Sequence, residues 1–243
     1  MHKKVLILIF GIVLFYGRVV GKELDIGAVF SIPPYIISEP ISGMEVDIVN
    51  EALMLQGHTI KVSFLPSSRI YESVAEKKLD AGMTAVESEV NSNLFFSDSH
   101  ITYQNVAIAL KDRNYDITDI SKLSNYSLVS FQNAARYLGN EYNKVVSSHK
   151  KYSEKTDQTV PVAMLFSGRV DTIVMDINIF NAMKNKVTMV NTDKEVQIFE
   201  IFPKNNMKVV FNDRDMRDKF NQGLADLRNS GRYDEIIKKY TSK

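Results

Sequence analysis

The sequence predicts an α/β protein in which two similar lobes each contain a sheet flanked by helices. Strand-like segments alternate with helix-like segments from Leu24 onward, an order typical of parallel sheets covered by helices. A turn, an aspartate and a strand also occur at Leu79-Asp80-Ala81-Gly82 and again at Val170-Asp171-Thr172-Ile173. This repeat indicates two lobes of similar construction, although two βα units can resemble each other by chance. Finally, the chain ends in two helical segments separated by Gly231, which predicts a helical C-terminus.

In the first half, alternating apolar residues predict strands, and apolar residues at helical spacing predict helices. The loop Pro33-Pro34-Tyr35 stops both kinds of element after the first strand. The predicted elements are, in order, a strand at 24–29, a helix between Gly43 and Gly57, a strand at 60–64, a helix that starts at 66–68 and a strand at 79–86. This order predicts a parallel sheet.

The second half repeats the α/β pattern. The continuous apolar run at 106–110 predicts a strand that is buried on both faces. The other predicted elements are strands at 126–131 and 170–175, helices at 159–166 and 177–183, and two amphipathic segments at 216–227 and 233–240. The apolar stripes of the last two segments indicate packing against a core.

The first 21 residues have the pattern of a secretory signal peptide. The basic stretch Met1-His2-Lys3-Lys4 precedes an uncharged apolar run at 5–16, which is shorter than the ~20 residues that span a membrane. Small or slim residues at positions 19 and 21 favour cleavage after Gly21, with an uncleaved signal anchor as the alternative. Because no cysteine follows that point, we expect a periplasmic protein without a lipid anchor.

Composition excludes several function classes. Lys+Arg number 30 and Asp+Glu 29, and this net charge of +1 gives no indication of nucleic-acid binding. The chain has 0 cysteines, which excludes disulfides, thiolate metal sites and a cysteine nucleophile. The 4 histidines lack metal-ligand spacing, and the motifs GxSxG, HExxH, GxGxxG and the P-loop are absent. We therefore expect no metal, no cofactor and no nucleic-acid partner.

Short motifs follow one another along the chain and together carry a resemblance. They are Pro33-Pro34-Tyr35, Gly43-Met44-Glu45-Val46-Asp47-Ile48, Leu79-Asp80-Ala81-Gly82-Met83-Thr84, Phe95-Phe96-Ser97-Asp98, Gly168-Arg169-Val170-Asp171 with Asp176, and Asn229-Ser230-Gly231-Arg232-Tyr233-Asp234-Glu235-Ile236. In this order and spacing, over residues 24–240, the chain resembles the bacterial extracellular solute-binding proteins of family 3, the polar-amino-acid type.

The resemblance implies the type II periplasmic binding protein fold, in which two α/β lobes are joined by two hinge strands around a ligand cleft. Closure of the lobes around the ligand is the implied motion. The implied organisation is a signal peptide at 1–21, lobe 1 at 22–100 and 206–243, lobe 2 at 106–199, and hinge crossings at 101–105 and 200–205.

The resemblance also implies residues of the cleft. Thr84 matches a position that presents a hydroxyl or backbone group to the ligand, and Asp176 matches the acid that pairs with a ligand ammonium. Each has an alternative as a helix N-cap without a ligand role. Phe30 and Tyr35 are implied as walls that give apolar or stacking contact, and the turn Gln132-Asn133-Ala134-Ala135 as a helix start that faces an anion.

One family feature is missing, namely the arginine that binds a ligand carboxylate. The corresponding stretch is Glu87-Ser88-Glu89-Val90-Asn91-Ser92, with Glu89 near the place of the arginine. Because a guanidinium is the strongest carboxylate partner among side chains, we expect Arg69, Arg136 or backbone N–H groups to substitute, and we predict Arg69. Either arginine is alternatively a solvated surface residue. We also expect that the ligand is not a common acidic amino acid, since Glu89 would repel it.

These features predict a monomeric binding protein, not an enzyme, that captures a small polar ligand, amino-acid-like or related, for an inner-membrane ABC permease. Two alternatives stay open. One is an enzyme on the same scaffold, similar to cyclohexadienyl dehydratases, which would use Glu87, Glu89 or Asp176 as its acid. The other is a sensory binder that signals to a membrane partner. Fold alone does not decide among the three.

Overall fold

The computed structural model describes residues 21–87 and 93–242. Residues 1–20 of the predicted signal peptide, and Glu89 with its neighbours at 88–92, lie outside the described residues. Within the described ranges, no helix is both long enough and apolar enough to cross a membrane.

Strands and helices alternate through most of the described chain. The strands are β1 (Glu23–Ala28), β2 (Ile37–Ser38), β3 (Ile41–Ser42), β4 (Thr59–Phe64), β5 (Ala81–Ala85), β6 (Phe95–Phe96), β7 (Ile101–Leu110), β8 (Leu128–Phe131), β9 (Tyr152–Lys155), β10 (Thr172–Asp176), β11 (Val196–Phe199) and β12 (Lys204–Phe211). The helices are α1 (Met44–Leu55), α2 (Ser67–Ala75), α3 (Ala134–Tyr137), α4 (Gly139–Ser147), α5 (Thr159–Phe166), α6 (Ile177–Lys184), α7 (Arg214–Asn229) and α8 (Arg232–Thr241).

The first sheet has the order β4-β1-β5-β12, in which β4, β1 and β5 run parallel. β12 closes this sheet antiparallel to β5, with Val210 opposite Gly82. Gly82 is required here because an added Cβ would lie 2.2 Å from Cγ2 of Ile70 on α2. The helix therefore packs directly on the strand, and the buried side chains Ile70 and Val74 cover this face.

The second sheet is built around β10, which runs parallel to β8 and antiparallel to β7. β9 extends the sheet next to β8, and β11 pairs with the other edge of β7. The run at 106–110 in β7 is buried throughout, as expected for a strand covered on both faces. This sheet forms the core of the second half of the protein.

Two strands connect the sheets. The first part of β7 pairs antiparallel with the first part of β12, with Gln104 opposite Lys204 and Ile101 opposite Met207. The side chain of Gln104 donates a hydrogen bond to the carbonyl of Phe202, 2.9 Å away. The two connecting segments are therefore bound to each other. The exact hinge boundaries, 101–105 and 200–205, stay a prediction.

The repeated aspartates have matching contacts in the two halves. Asp80 accepts a hydrogen bond from the backbone N–H of Asp25, at the start of β1, at 2.9 Å. Asp171 accepts one from the backbone N–H of Ser127, just before β8, also at 2.9 Å. Each aspartate thus lies in the turn before one strand and fixes the start of the parallel neighbour. The repeat in the sequence corresponds to a repeat in structure.

The C-terminal helices return to the first sheet. Gly223 of α7 lies so close to α1 that an added Cβ would be 2.0 Å from the carbonyl oxygen of Ala52. Phe220 and Leu224 are buried beside this contact. This close approach packs α7 directly against α1.

Some elements differ from the sequence-based expectations. β7 begins at Ile101, five residues before the predicted apolar run, because its first part pairs with β12. β12 itself was not predicted, since Lys204-Asn205-Asn206 has the composition of a loop. β9, β11 and α4 were also not predicted, and each is short and mainly polar or half-buried.

Candidate functional site

Most of the predicted site residues follow the carboxyl ends of parallel strands. Phe30 follows β1, Arg69 lies on the helix after β4, and Thr84 lies near the end of β5. In the second sheet Gln132 follows β8, and Asp176 is the last residue of β10. Crevices outside the carboxyl ends of strands are the usual ligand sites of open α/β sheets. The topology therefore points to these two edges.

A hydrogen bond between Tyr35 and Asp176 connects these two edges. The Tyr35 hydroxyl lies 3.0 Å from each carboxylate oxygen of Asp176, across a sequence separation of 141 residues. Tyr35 has no exposed surface and Asp176 is 3% exposed. The amide of Asn178 also donates to the Tyr35 hydroxyl at 2.9 Å. A loop of the first lobe is thus hydrogen-bonded to the start of α6 in the second.

The carboxylate of Asp176 accepts several backbone hydrogen bonds as well. The N–H groups of Asn178 and Ile179 donate to Oδ1 at 2.8 and 3.1 Å, and the N–H of Gln104 donates to Oδ2 at 2.8 Å. Asp176 is therefore the N-cap of α6, the alternative that the sequence left open. Burial raises the pKa of Asp176 above its ordinary value, more than these hydrogen bonds lower it.

The Tyr35 ring stacks on Tyr103, which lies on the connecting part of β7. The two ring centroids are 3.7 Å apart, with 23° between the planes. Burial and the neighbouring Asp176 raise the pKa of Tyr35 far above its ordinary value, so that the hydroxyl keeps its proton and donates. The stacking holds this hydroxyl next to the strand that links the lobes.

A second buried carboxylate, Glu45, lies beneath this contact. Its Oε1 is 2.9 Å from Nε2 of His100, and its Oε2 accepts hydrogen bonds from Tyr103 at 2.9 Å and from Thr84 at 3.0 Å. Glu45 and His100 both have no exposed surface. Thr84 donates from β5, and His100 and Tyr103 donate from the start of β7, so Glu45 fixes α1, β5 and β7 relative to one another.

Gly43 allows α1 to begin at this point. Its φ is +123°, and an added Cβ would lie 2.2 Å from the carbonyl oxygen of Tyr35. The N–H of Glu45 donates to that same carbonyl at 3.0 Å. Gly43 therefore lets the Tyr35 loop and the first turn of α1 pack together, which positions both Tyr35 and Glu45.

Thr84 is not an N-cap but has a left-handed backbone, with φ +62°. Such a conformation is strained for a β-branched residue, and strain of this kind concentrates at functional sites. The hydroxyl of Thr84 donates to Glu45. Glu45 also accepts from Tyr103, whose ring stacks on Tyr35, so Thr84 is connected indirectly to the Tyr35–Asp176 contact. That Thr84 contacts a ligand stays a prediction.

The predicted anion-facing turn of the second lobe already holds a carboxylate of the protein. Glu154 accepts hydrogen bonds from the N–H groups of Asn133 at 2.6 Å and Ala135 at 3.0 Å, and from the hydroxyl of Tyr152 at 2.7 Å. Partial burial raises the pKa of Glu154, but these hydrogen bonds outweigh it and hold the pKa below its ordinary value. The side chains of Gln132, Asn133 and Arg136 are exposed.

The remaining predicted residues lie on the surface. Phe30 is 63% exposed. Arg69 forms an exposed ion pair with Glu72 at 2.8 Å, one turn along α2. Arg136 stacks over the ring of its neighbour Tyr137, 5.9 Å from the centroid. No described contact joins either arginine to the buried Tyr35–Asp176 contact, so their roles stay predictions.

Sequence reasoning missed Glu45, His100 and Tyr103. Glu45 belongs to a motif that carried the resemblance, but nothing in the motif showed that its carboxylate would be buried. His100 directly precedes the predicted hinge crossing at 101–105, and Tyr103 lies within it. A usable signal was the presence of a lone histidine and a tyrosine at the start of a predicted connecting strand.

The family model of bacterial extracellular solute-binding proteins, family 3, matches residues 24–243. The chain belongs to this family. Among curated proteins no match is found. The family assignment confirms the resemblance that the motifs carried.

Several solved structures share the fold of this family 3 protein although their sequences are less than 20% identical to it. The GluR0 ligand-binding core in complex with L-glutamate is 14% identical, with a TM-score of 0.71 over 90% of this chain and 98% of the other. ArtJ of Geobacillus stearothermophilus, an arginine-, lysine-, histidine-binding protein, is 18% identical, with a TM-score of 0.65 over 91% and 96%.

A third similar structure is a histidine kinase sensor domain that resembles periplasmic binding proteins. It is 16% identical, with a TM-score of 0.67 over 93% of this chain and 98% of the other. These likenesses confirm the predicted fold class for this family 3 protein: an α/β architecture of the periplasmic binding protein type, with sheets flanked by helices.

Proposed function

We propose that this family 3 protein captures a small polar solute, amino-acid-like or related, between its two lobes in the periplasm and delivers it to an ABC permease. The observation that carries the proposal is the hydrogen bond between Tyr35 and Asp176. This bond connects the loop that follows β1 in the first sheet to the carboxyl end of β10 in the second sheet. A solute held at this junction would contact both lobes, which is the requirement for capture by closure.

Neighbouring structures support the solute class. The GluR0 core is in complex with L-glutamate, and ArtJ is an arginine-, lysine-, histidine-binding protein. The candidate groups at the two edges, Arg69 and Thr84 on one side and Gln132 and Arg136 on the other, are polar or charged and would suit a polar solute. Thr84 donates a hydrogen bond to the buried Glu45, and the side chains of the other three residues are exposed.

A thermal-shift screen of the exported protein against amino acids, polyamines, carboxylates and aromatic compounds tests binding. A ligand at 100 times its Kd adds about 2.7 kcal/mol to the free energy of unfolding, a shift that is readily measured. Small-angle scattering on the best ligand then tests closure, since the radius of gyration should fall on binding. A saturating ligand that leaves the radius unchanged would contradict the closure mechanism.

A sensory role is the second candidate, favoured by the likeness to the histidine kinase sensor domain. In that case the ligand-bound protein would associate with a membrane signalling protein rather than with a permease. Uptake of the radiolabelled solute in cells with and without the gene separates the two roles. Loss of uptake on deletion supports transport, whereas unchanged uptake favours sensing.

The dehydratase alternative has no support from the described residues. Glu87 forms an exposed ion pair with Lys208. Asp176 is buried and saturated with hydrogen bonds. We therefore do not propose catalysis by this protein.

A further inference from the structure

Lys22, the first residue after the predicted cleavage point, is held by three contacts. Its backbone nitrogen donates to Nδ1 of His58 at 3.2 Å, and its carbonyl accepts from the N–H of Thr59 at 3.3 Å. Its side-chain ammonium forms an ion pair with Asp80. The chain is therefore fixed in the fold already at Lys22, one residue before β1 begins.

The acceptor for the backbone nitrogen of Lys22 is a buried imidazole. His58 is 5% exposed and lies between the end of α1 and the start of β4. Because its Nδ1 accepts a hydrogen bond, the hydrogen of the neutral ring is on Nε2. The lone pair of Nδ1 therefore points at the nitrogen that becomes the N-terminus when the chain is cleaved after Gly21.

The same nitrogen lies near the C-terminal end of α1. Gly57 follows Gln56, the C-cap of this helix, and its carbonyl oxygen lies against Gly21, since a Cβ added to Gly21 would be 1.7 Å from it. The C-terminal end of a helix carries partial negative charge and favours a cation. The last turn of α1 contains no basic residue. The end of α1 thus presents a carbonyl and a negative dipole end without a cation from its own last turn.

We propose that His58 and the end of α1 bind the α-ammonium group that cleavage after Gly21 creates on Lys22, so that removal of the signal peptide stabilises the folded protein. Hydrolysis of the Gly21–Lys22 bond consumes water and leaves a carboxylate on Gly21 and an ammonium on Lys22. A neutral amide donor thereby becomes a charged one, whose hydrogen bond to Nδ1 is roughly twice as strong. The inference rests on the export and cleavage that the proposed function requires.

Two forms of the protein with the same folded sequence test the proposal. One begins at Lys22 with a free α-amine, released from a fusion partner by a protease that leaves no added residue. The other carries a short glycine-serine extension ahead of Gly21, so that the Lys22 nitrogen stays an amide as in the precursor. At the same urea concentration, the ratio of folded to unfolded protein should be about three- to tenfold higher for the first form. Equal unfolding curves overturn the proposal, and this comparison needs no substitution.

The variant His58→Phe tests the acceptor in both forms. It keeps a buried ring but removes Nδ1, so the ratio between the two forms should fall at least about twofold. His149→Phe is the matched control, because Nδ1 of His149 accepts from the N–H of Lys151 at 3.1 Å in the second lobe, and the ratio should not change. An undiminished ratio in His58→Phe, or an equal fall in His149→Phe, overturns the role of His58.

Acetylation of the α-amine in the wild-type protein is a second measurement, which decides the matter even where His58→Phe does not fold. The acetyl group leaves an N–H on the Lys22 nitrogen but removes its charge. The urea midpoint should therefore fall to that of the extended form. A midpoint that stays at the value of the free amine overturns the role of the ammonium.

N-terminal sequencing of the protein exported by a bacterial host tests the link to processing. The sequence should begin at Lys22, and a start at any other residue overturns that link. None of these measurements uses a solute, so a failure of solute binding leaves the inference standing. A different cleavage point or equal unfolding curves overturn the inference and leave the solute-binding proposal intact.

Discussion

Oε1 of Glu45 lies 2.9 Å from Nε2 of His100, and neither side chain has any exposed surface. Glu45 is on the first turn of α1, and His100 directly precedes the strand that leads into the second lobe. The backbone carbonyl of His100 also accepts a hydrogen bond from Tyr233 of α8 at 2.9 Å. This pair therefore ties α1, the C-terminal helix and the start of the connecting strand to one point.

Removal of His100 should destabilise the protein strongly. In His100→Ala the buried carboxylate of Glu45 loses a hydrogen-bond donor that nothing replaces, and the loss of a hydrogen bond to a charged group costs about 1.5–3 kcal/mol. Urea unfolding should show a correspondingly lower midpoint. Glu195→Gln is the control, because it breaks an exposed ion pair with Lys111 and should leave the midpoint nearly unchanged. Equal midpoints for His100→Ala and wild type would contradict the structural role of the pair.

The hydroxyl of Thr84 should contribute more to the stability of the protein than its methyl group does. Thr84→Val keeps the shape and the strained left-handed backbone but leaves Glu45 without one hydrogen bond, so we expect a loss of about 1.5–3 kcal/mol in the free energy of unfolding. Thr84→Ser keeps the hydroxyl and should be at least as stable as the wild type. Chemical denaturation of both variants measures this difference. If the two variants have the same stability, the hydrogen bond to Glu45 contributes nothing.

Asp176 should make stability fall as pH rises from about pH 4, near the pKa of an unfolded aspartate, to neutrality. Because burial raises its pKa in the native state, the native protein binds this proton more tightly than the unfolded chain does. The contribution is present below the unfolded pKa and is lost as pH rises through the native pKa. Asp176→Asn cannot titrate, so its free energy of unfolding should fall less over this range. Urea midpoints at several pH values test this, and parallel curves for both proteins would contradict it.

Arg69 should affect ligand affinity without affecting stability. If it is the ligand-facing cation, Arg69→Ala loses a charge-assisted contact, and affinity measured by calorimetry should fall about ten- to a hundredfold. Glu72→Gln is the matched control, since it removes the ion-pair partner of Arg69 but leaves the guanidinium free, and affinity should not fall. Both exposed substitutions should leave the urea midpoint nearly unchanged. Undiminished affinity in Arg69→Ala would assign the contact to Arg136 or to backbone groups.

Much of the fold could be predicted from local patterns. The strand at β1, the helix after Gly43 and the helix at Thr159–Phe166 were all predicted from apolar spacing and from glycine or proline at their ends. β12 could not be predicted in this way. Its polar first half is a strand only because it pairs with the first part of β7.

The sequence by itself determined the fold class and family, because these depend on the order and spacing of short motifs and on local hydrophobic patterns. It also determined that Asp176 is either a ligand partner or an N-cap. Only the tertiary structure decided that Tyr35, 141 residues away, donates to Asp176 and that Glu45 and His100 are buried together. The physical reason is that hydrogen bonds between distant segments depend on how the lobes and helices pack. A local sequence pattern does not predict that packing.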